Sequence, residues 1–516
     1  MSEISVSSNS IRSSGVDWKL TAFRALFVGV VMYAGLMIWL APHPPMIDLP
    51  QHAGQVAALH DLLTGESPWE DVFSINLFTP YLAGYGLALL LSFVMPVAAA
   101  LKLLITIAFY AFVFLCVCLR RQFGADKRLD WLYVPGFFGF AYTWGFVTFL
   151  VAAPVGLLAI LLAYRYADSP TYKTGKRLFV VSVVLFFSHG LTFLFASAIG
   201  VAFLVCKLKR VERVFMASLP YGLVGVVCLL YVWHIRSIEV EYVYSSPEVI
   251  WGWDMRRLLL FFLAPWGGWW EDRFFLIGGL LMLSVPWCLG ARVNAREPAA
   301  CIPMLVALAV WIFVPHHAGR TTFLYERFAL FILPFYALMF NHPQAAARYR
   351  PAVLRRPMMC QALLALACVA YLGTQTARIV GFAAESKDFD VLLGAAEPGK
   401  KALMLIFDAN STAAGNRGAY LHFPAWYQAE RRGLVDFSFA WFPPQVVRYR
   451  PSRLPAVSPS NPREFTWTRN RGQEYRYYFV RHTEPLSTTL FENTRCQVSL
   501  LKSVGVWSLY ENTGCQ

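Results

Sequence analysis

Acids and histidines gather in one short polar interval near the start of an otherwise apolar chain. The interval opens with the segment Ala41 to His52, which holds His43, Pro44, Pro45, Asp48 and Pro50, and continues through His60, Asp61, Glu66, Glu70 and Asp71. Asp48 follows two prolines and precedes a third, which predicts a stiff extended turn just outside the membrane. Pro50 is suited to open a helix, because its missing N–H costs nothing at that position. His52, Gln55 and Leu59 recur at helical spacing, as do Val56, Leu59 and Leu63. The spacing predicts an amphipathic helix over 50–63 that can lie on a membrane surface. A carboxylate such as Asp48 at the mouth of a membrane cavity suits general-base chemistry. Partial burial raises its proton affinity, and the imidazole of His52 can orient it or share a proton. The competing reading is that Asp48 caps the helix that follows.

A second constellation is basic. His316, His317 and Arg320 lie just before Tyr325, Glu326 and Arg327, between two apolar runs. A guanidinium at a membrane border is costly without a partner, and its fork matches phosphate bidentately. Snorkelling with a local pair to Glu326 is the bland alternative for Arg327. A third candidate is His189, between Ser188 and Gly190 in an apolar run; it is either a functional intramembrane group or a satisfied helix break. The fourth is the loop 236–273, with Trp251, Trp253, Trp266, Trp269 and Trp270. Dense Trp marks an interfacial belt, and the same rings suit stacking on sugar faces.

These groups need a membrane frame. Of the 516 residues, 57% are hydrophobic and only 15% charged. Soluble domains run nearer 25% charged. That excludes an ordinary cytosolic enzyme, a disordered chain and a secreted disulfide scaffold. Continuous apolar runs of about 15–25 residues point to helices rather than a barrel. The net charge of +14 belongs to cytoplasmic loops and anionic head groups rather than to nucleic acid. Eight of the ten cysteines lie in apolar runs, and no Cys or His spacing reads as a metal site. Cys496 and Cys515 lie in a polar tail, where they can pair if that tail is outside the cytoplasm.

The organisation follows. Residues 1–20 read as a cytoplasmic tail. Residues 21–380 read as an all-α polytopic helical bundle of about 10–12 crossings, with a first extracytoplasmic loop at 42–76. Residues 381–516 read as a small extracytoplasmic α/β module, with β-type runs at 402–407, 475–480, 497–501 and 504–509. Basic clusters at Arg165–Arg177, Lys207–Arg213, Arg292–Arg296 and Arg348–Arg356 mark the inside face. The run 178–206 lies between two of them, so it must enter and return near His189. Arg120, Arg121, Lys127 and Arg128 fall outside if 77–95, 98–119 and 131–164 each cross once. They fall inside if one early run is half-inserted and 131–164 makes two short crossings around Gly145.

Taken together, these features resemble the glycosyltransferase C superfamily, polytopic enzymes that use polyprenyl-phosphate-linked sugars. The likeness is carried by Asp48 in the first outer loop, the short paired helices between 131 and 206, the Glu326–Arg327 loop and the module after the last helix. The segment Ile47–His52 has a single acid, Asp48, where several families of this kind show a DxD or an Asp–Glu pair. That departure bears on a divalent-metal requirement, although metal-independent members exist. The resemblance implies an inverting transfer with no cofactor, in a bacterial inner membrane. It makes Asp48 the base, assisted by His52, and has Arg327, with Arg320 or His316, holding the lipid phosphate. The implied partners are a polyprenyl-phosphate-sugar donor, a lipid, glycan or protein acceptor, and membrane lipids, with no nucleic acid. His189, Glu326 and Trp270 are further candidates. The alternatives are a transporter or flippase of lipid-linked substrates, and a polysaccharide ligase or polymerase.

Overall fold

The computed structural model describes residues 18–237, 248–268, 273–319, 321–342, 355–415, 417–454 and 462–515. Six helices among them are long and apolar enough to cross a membrane. They lie within Ala22–Leu40, Val97–Phe123, Val147–Asp168, Gly190–Lys207, Leu219–Arg236 and Met358–Ala395, with shorter apolar helices at Leu82–Ser92, Phe275–Cys288 and Pro298–Phe313. The chain is a multi-pass helical membrane protein with a C-terminal sheet module. The tail expected at 1–20 falls almost wholly outside the described residues.

Specific contacts orient the passes. The first helix, Trp18–Met37, runs antiparallel to Val97–Phe123. Tyr110 donates to the Met32 carbonyl at 2.9 Å, and Lys102 donates to the Ala41 carbonyl at 3.0 Å. At the far end of Val97–Phe123, the Phe123 carbonyl accepts from Asn294 at 2.8 Å and Gln122 accepts from Arg165 at 3.0 Å. Lys207 joins the same end through Glu297 at 3.1 Å. Arg120, Arg121, Arg165, Lys207 and Arg292 therefore share one end of the bundle.

That arrangement resolves the conflict among the early runs. The run 131–164 is not one helix. From Asp126 at the basic end, a 3-10 turn and two short helices, Tyr133–Phe137 and Phe140–Trp144, carry the chain to the opposite end; Val147–Asp168 then returns it. Leu82–Ser92 has 11 residues and so spans about 16 Å, short of a hydrocarbon core of about 30 Å. The break at His189 is real: Tyr172–Ser188 ends there, the residue is extended (φ −168°), and Gly190–Lys207 begins at once.

The C-terminal module is built on a five-stranded mixed sheet. Its order is Cys496–Val504, Trp507–Cys515, Tyr477–Arg481, Lys401–Ile406, Leu434–Asp436. Lys401–Ile406 is parallel to both its neighbours and the remaining pairs are antiparallel. The Cys496–Cys515 disulfide is present and closes the outer hairpin.

The helix expected at 50–63 forms as Leu49–Thr64, but it does not lie on a membrane surface. Every residue from Leu49 to Leu59 is buried. Its polar face is claimed by the module instead. Gln51 donates to the Phe437 carbonyl at 2.7 Å, and Gln55 accepts from the Val447 N–H at 3.0 Å. Just downstream, Phe73–Ile75 pairs antiparallel with Val447–Tyr449. The first loop and the C-terminal module are one interlocked layer capping the end of the bundle opposite the basic cluster.

Candidate functional site

A cavity of about 330 Å³ opens where that layer meets the bundle, and Asp48, His52, His189 and Arg327 all line it. The structure thus brings together residues from three separate stretches of chain. Tyr81, Trp144, His422 and Gln445 complete much of its polar surface.

Asp48 is 7% exposed. Its side chain makes no capping bond to the helix behind it, so the capping alternative is not what the carboxylate does. The carboxylate accepts from the Trp144 side chain and feels the Arg327 guanidinium. Burial nevertheless dominates and holds the carboxyl well above the ordinary range. The backbone beside it is fixed as well: the Asp48 N–H donates to the Trp144 carbonyl at 2.8 Å. The tight fit depends on Gly145, whose φ is +87°; a Cβ there would sit 2.9 Å from the Asp48 nitrogen.

Arg327 is buried and lies on the Phe146 ring at 4.5 Å. Its Nε donates to the Phe323 carbonyl at 2.9 Å and one Nη to the Thr322 carbonyl at 2.7 Å. Two of five N–H groups are thereby fixed, which aims the planar fork, and among the described residues no carboxylate forms an ion pair with it. The local pair expected with Glu326 is replaced by another: Glu326 is hydrogen-bonded by His316. His316 and Glu326 form their own unit beside the cavity and do not line it. Arg320 and Trp270 lie outside the described residues.

His52 Nδ1 meets the Tyr85 hydroxyl at 2.7 Å, and Tyr85 donates to Gln445 at 2.7 Å. A hydroxyl has one proton, so His52 must be the donor at Nδ1, which leaves Nε2 as an acceptor. Burial lowers its proton affinity to about 3, so the ring is neutral. His189 Nδ1 is buried with no hydrogen-bond partner among the described residues. Among those residues no cluster of His, Cys, Asp or Glu is arranged to hold a metal ion.

Sequence reasoning missed the contribution of the module. His422 places Nε2 3.6 Å from Asp48 Oδ1, and Phe437, Phe439, Phe442 and Gln445 line the same wall. No local spacing announces these residues, because they reach the cavity only through the strand and glutamine contacts that dock the module.

No family model matches the chain, and no curated protein matches it in sequence. Its fold does match solved structures. The crystal structure of ArnT from Cupriavidus metallidurans bound to undecaprenyl phosphate aligns with a TM-score of 0.54 over 95% of this chain and 98% of that one, at 13% identity. The apo structure of the same protein aligns with a TM-score of 0.55, also at 13% identity. The likeness runs through the bundle, the capping loop and the C-terminal module alike. The chain therefore shares its fold with those ArnT structures along nearly its whole length.

Proposed function

We propose that this chain is a membrane glycosyltransferase that moves a sugar from a polyprenyl-phosphate-linked donor to an acceptor hydroxyl. The observation that carries the reading is the meeting of Asp48 and Arg327 in one small cavity within this fold. Undecaprenyl phosphate is the lipid bound in the similar ArnT structure, and a lipid phosphate is the group that Arg327 suits.

The chemistry requires little of the protein beyond placement. The acceptor hydroxyl loses its proton to the Asp48 carboxylate as its oxygen attacks the anomeric carbon. The bond from that carbon to the phosphate oxygen breaks, and polyprenyl phosphate leaves with the electron pair. Arg327 meets the charge that develops there, which is worth about 10²–10³ in rate for one well-placed donor. A positioned base adds about 10²–10⁴. Attack opposite the leaving phosphate inverts the anomeric centre. His52, fixed by Tyr85, offers Nε2 to a hydroxyl of the substrate. The cavity, the capping loop and the module face the outside of the cell in this reading, and the basic end faces the cytoplasm.

Two variants test it in the purified full chain and in membranes. Arg327→Gln should weaken binding of undecaprenyl phosphate by roughly tenfold or more, read by native mass spectrometry. Asp48→Asn should bind that lipid as the unmodified chain does. In membrane vesicles with the cell's own lipid-linked sugars, Asp48→Asn should lose the product by about 10² or more. Full transfer by Asp48→Asn would remove the base, and unchanged lipid binding by Arg327→Gln would remove the phosphate site.

A further inference from the structure

We infer that His422, supplied by the C-terminal module, is a positioning residue that holds the Asp48 carboxylate during proton transfer. The inference rests on the reading of Asp48 as the base and extends the reacting site across the junction between module and bundle.

Geometry carries it. His422 Nε2 lies 3.6 Å from Asp48 Oδ1, which is beyond a hydrogen bond but within reach of a small adjustment. Such contacts are often long in the free protein and tighten around substrate. The ring packs against two aromatic neighbours, stacked on Phe437 at 5.9 Å between centroids and edge-on to Phe439 at 5.8 Å. Its backbone is held too, with the His422 carbonyl accepting from the Ala425 N–H at 3.0 Å.

The tautomer follows from the orphaned nitrogen. Nδ1 is buried with no hydrogen-bond partner among the described residues. If Nδ1 carried the proton, a buried donor would go unpaired and the Nε2 lone pair would face a carboxylate. With the proton on Nε2, the unpaired atom is only an acceptor and the donor is the nitrogen that lies 3.6 Å from Asp48 Oδ1. Burial pushes the ring's proton affinity down to about 4, so it stays a neutral donor and does not compete for the proton.

Titratable groups reach Asp48 from each element around it. His52 comes from the loop helix, Tyr81 and Tyr85 from the segment after it, His189 from the helix break, and Arg327 from the outer loop. Tyr85 is committed to His52 and Gln445, and Arg327 to backbone carbonyls. His422 is the one imidazole with a nitrogen close to the carboxylate. An N–H donor stabilises the charged form, so its removal should raise Asp48's proton affinity further.

The test compares His422→Ala and His422→Gln in membrane vesicles with the cell's own lipid-linked sugars, across pH, with undecaprenyl phosphate binding measured in parallel. His422→Ala should slow transfer by roughly 10- to 100-fold and move the acid limb of the rate to higher pH, while lipid binding stays within about twofold. His422→Gln, whose amide N–H reaches the same place as Nε2–H, should restore most of the rate and the acid limb. An unmoved acid limb in His422→Ala overturns the inference, as does a glutamine variant that fails like alanine. Asp48→Asn, run alongside, separates the two claims. If it transfers normally, the base reading fails. If it is inactive while His422→Ala is unchanged, only the inference about His422 fails.

Discussion

At the scale of the residue, Asp48 is a carboxyl kept in a place that does not suit its charge. Its folded-state proton affinity is raised by burial, with Arg327 and Trp144 only partly offsetting that. The sign for stability is then fixed. Above the unfolded carboxyl pKa of about 3.9, ionisation costs the folded state more than the unfolded one. Stability attributable to Asp48 is full at low pH and is lost as pH rises toward the raised folded value. Asp48→Asn should therefore melt at a higher temperature than the unmodified chain at pH 8, with the gap shrinking towards pH 4; differential scanning fluorimetry in detergent reads it. A helix-capping role would leave stability nearly unchanged, since Asn caps a helix about as well as Asp. This residue was legible in the sequence because prolines on both sides isolate it in a polar interval. Arg327 was legible because a guanidinium at a membrane border needs a reason. His422 was not, since nothing in its neighbourhood distinguishes it from a surface histidine.

At the scale of the element, the site depends on the turn at Gly145. That turn ends the short helix Phe140–Trp144 and lets it press on the loop carrying Asp48. Gly145→Ala puts a side chain into a left-handed backbone and drives a Cβ against the Asp48 and Leu49 nitrogens, at 2.9 and 3.0 Å. We expect a loss of roughly 1–3 kcal/mol, seen as a lower melting temperature, together with weaker undecaprenyl phosphate binding as the loop is displaced. A variant at Gly124, whose Cβ would meet nothing within 4 Å, isolates the backbone strain from the clash. The apolar run 131–164 left open whether it crossed once or twice around Gly145. Hydropathy sums over a window and does not see that Gly136, Gly139 and Gly145 punctuate it. The buried fate of Leu49–Leu59 escaped for a related reason: an amphipathic face looks the same whether it meets head groups or a docked module.

At the scale of the molecule, every feature argued above requires the module and the cavity to share one compartment, opposite the basic end. The contacts Lys207–Glu297, Arg165–Gln122 and Asn294–Phe123 gather the cationic loops at one end, and we propose from the positive-inside bias that this end is cytoplasmic. On that proposal the module is extracytoplasmic, where Cys496–Cys515 can persist as a disulfide. Opening that bridge removes a constraint on a loop of 19 residues in sequence separation, worth about 3 kcal/mol to the hairpin. The bridged hairpin's second strand carries Trp507, which packs on Phe389 at 4.9 Å and on Tyr420 at 5.7 Å. Tyr420 stands two residues before His422, so loosening the hairpin should reach the cavity. We expect Cys496→Ser with Cys515→Ser to lower the melting temperature and reduce transfer more than it reduces undecaprenyl phosphate binding. In the single variant Cys496→Ser, the freed Cys515 should react with a membrane-impermeant maleimide added to intact spheroplasts. If it labels only after lysis, the module faces the cytoplasm, and the acceptor chemistry at Asp48 would have to be assigned to that side instead.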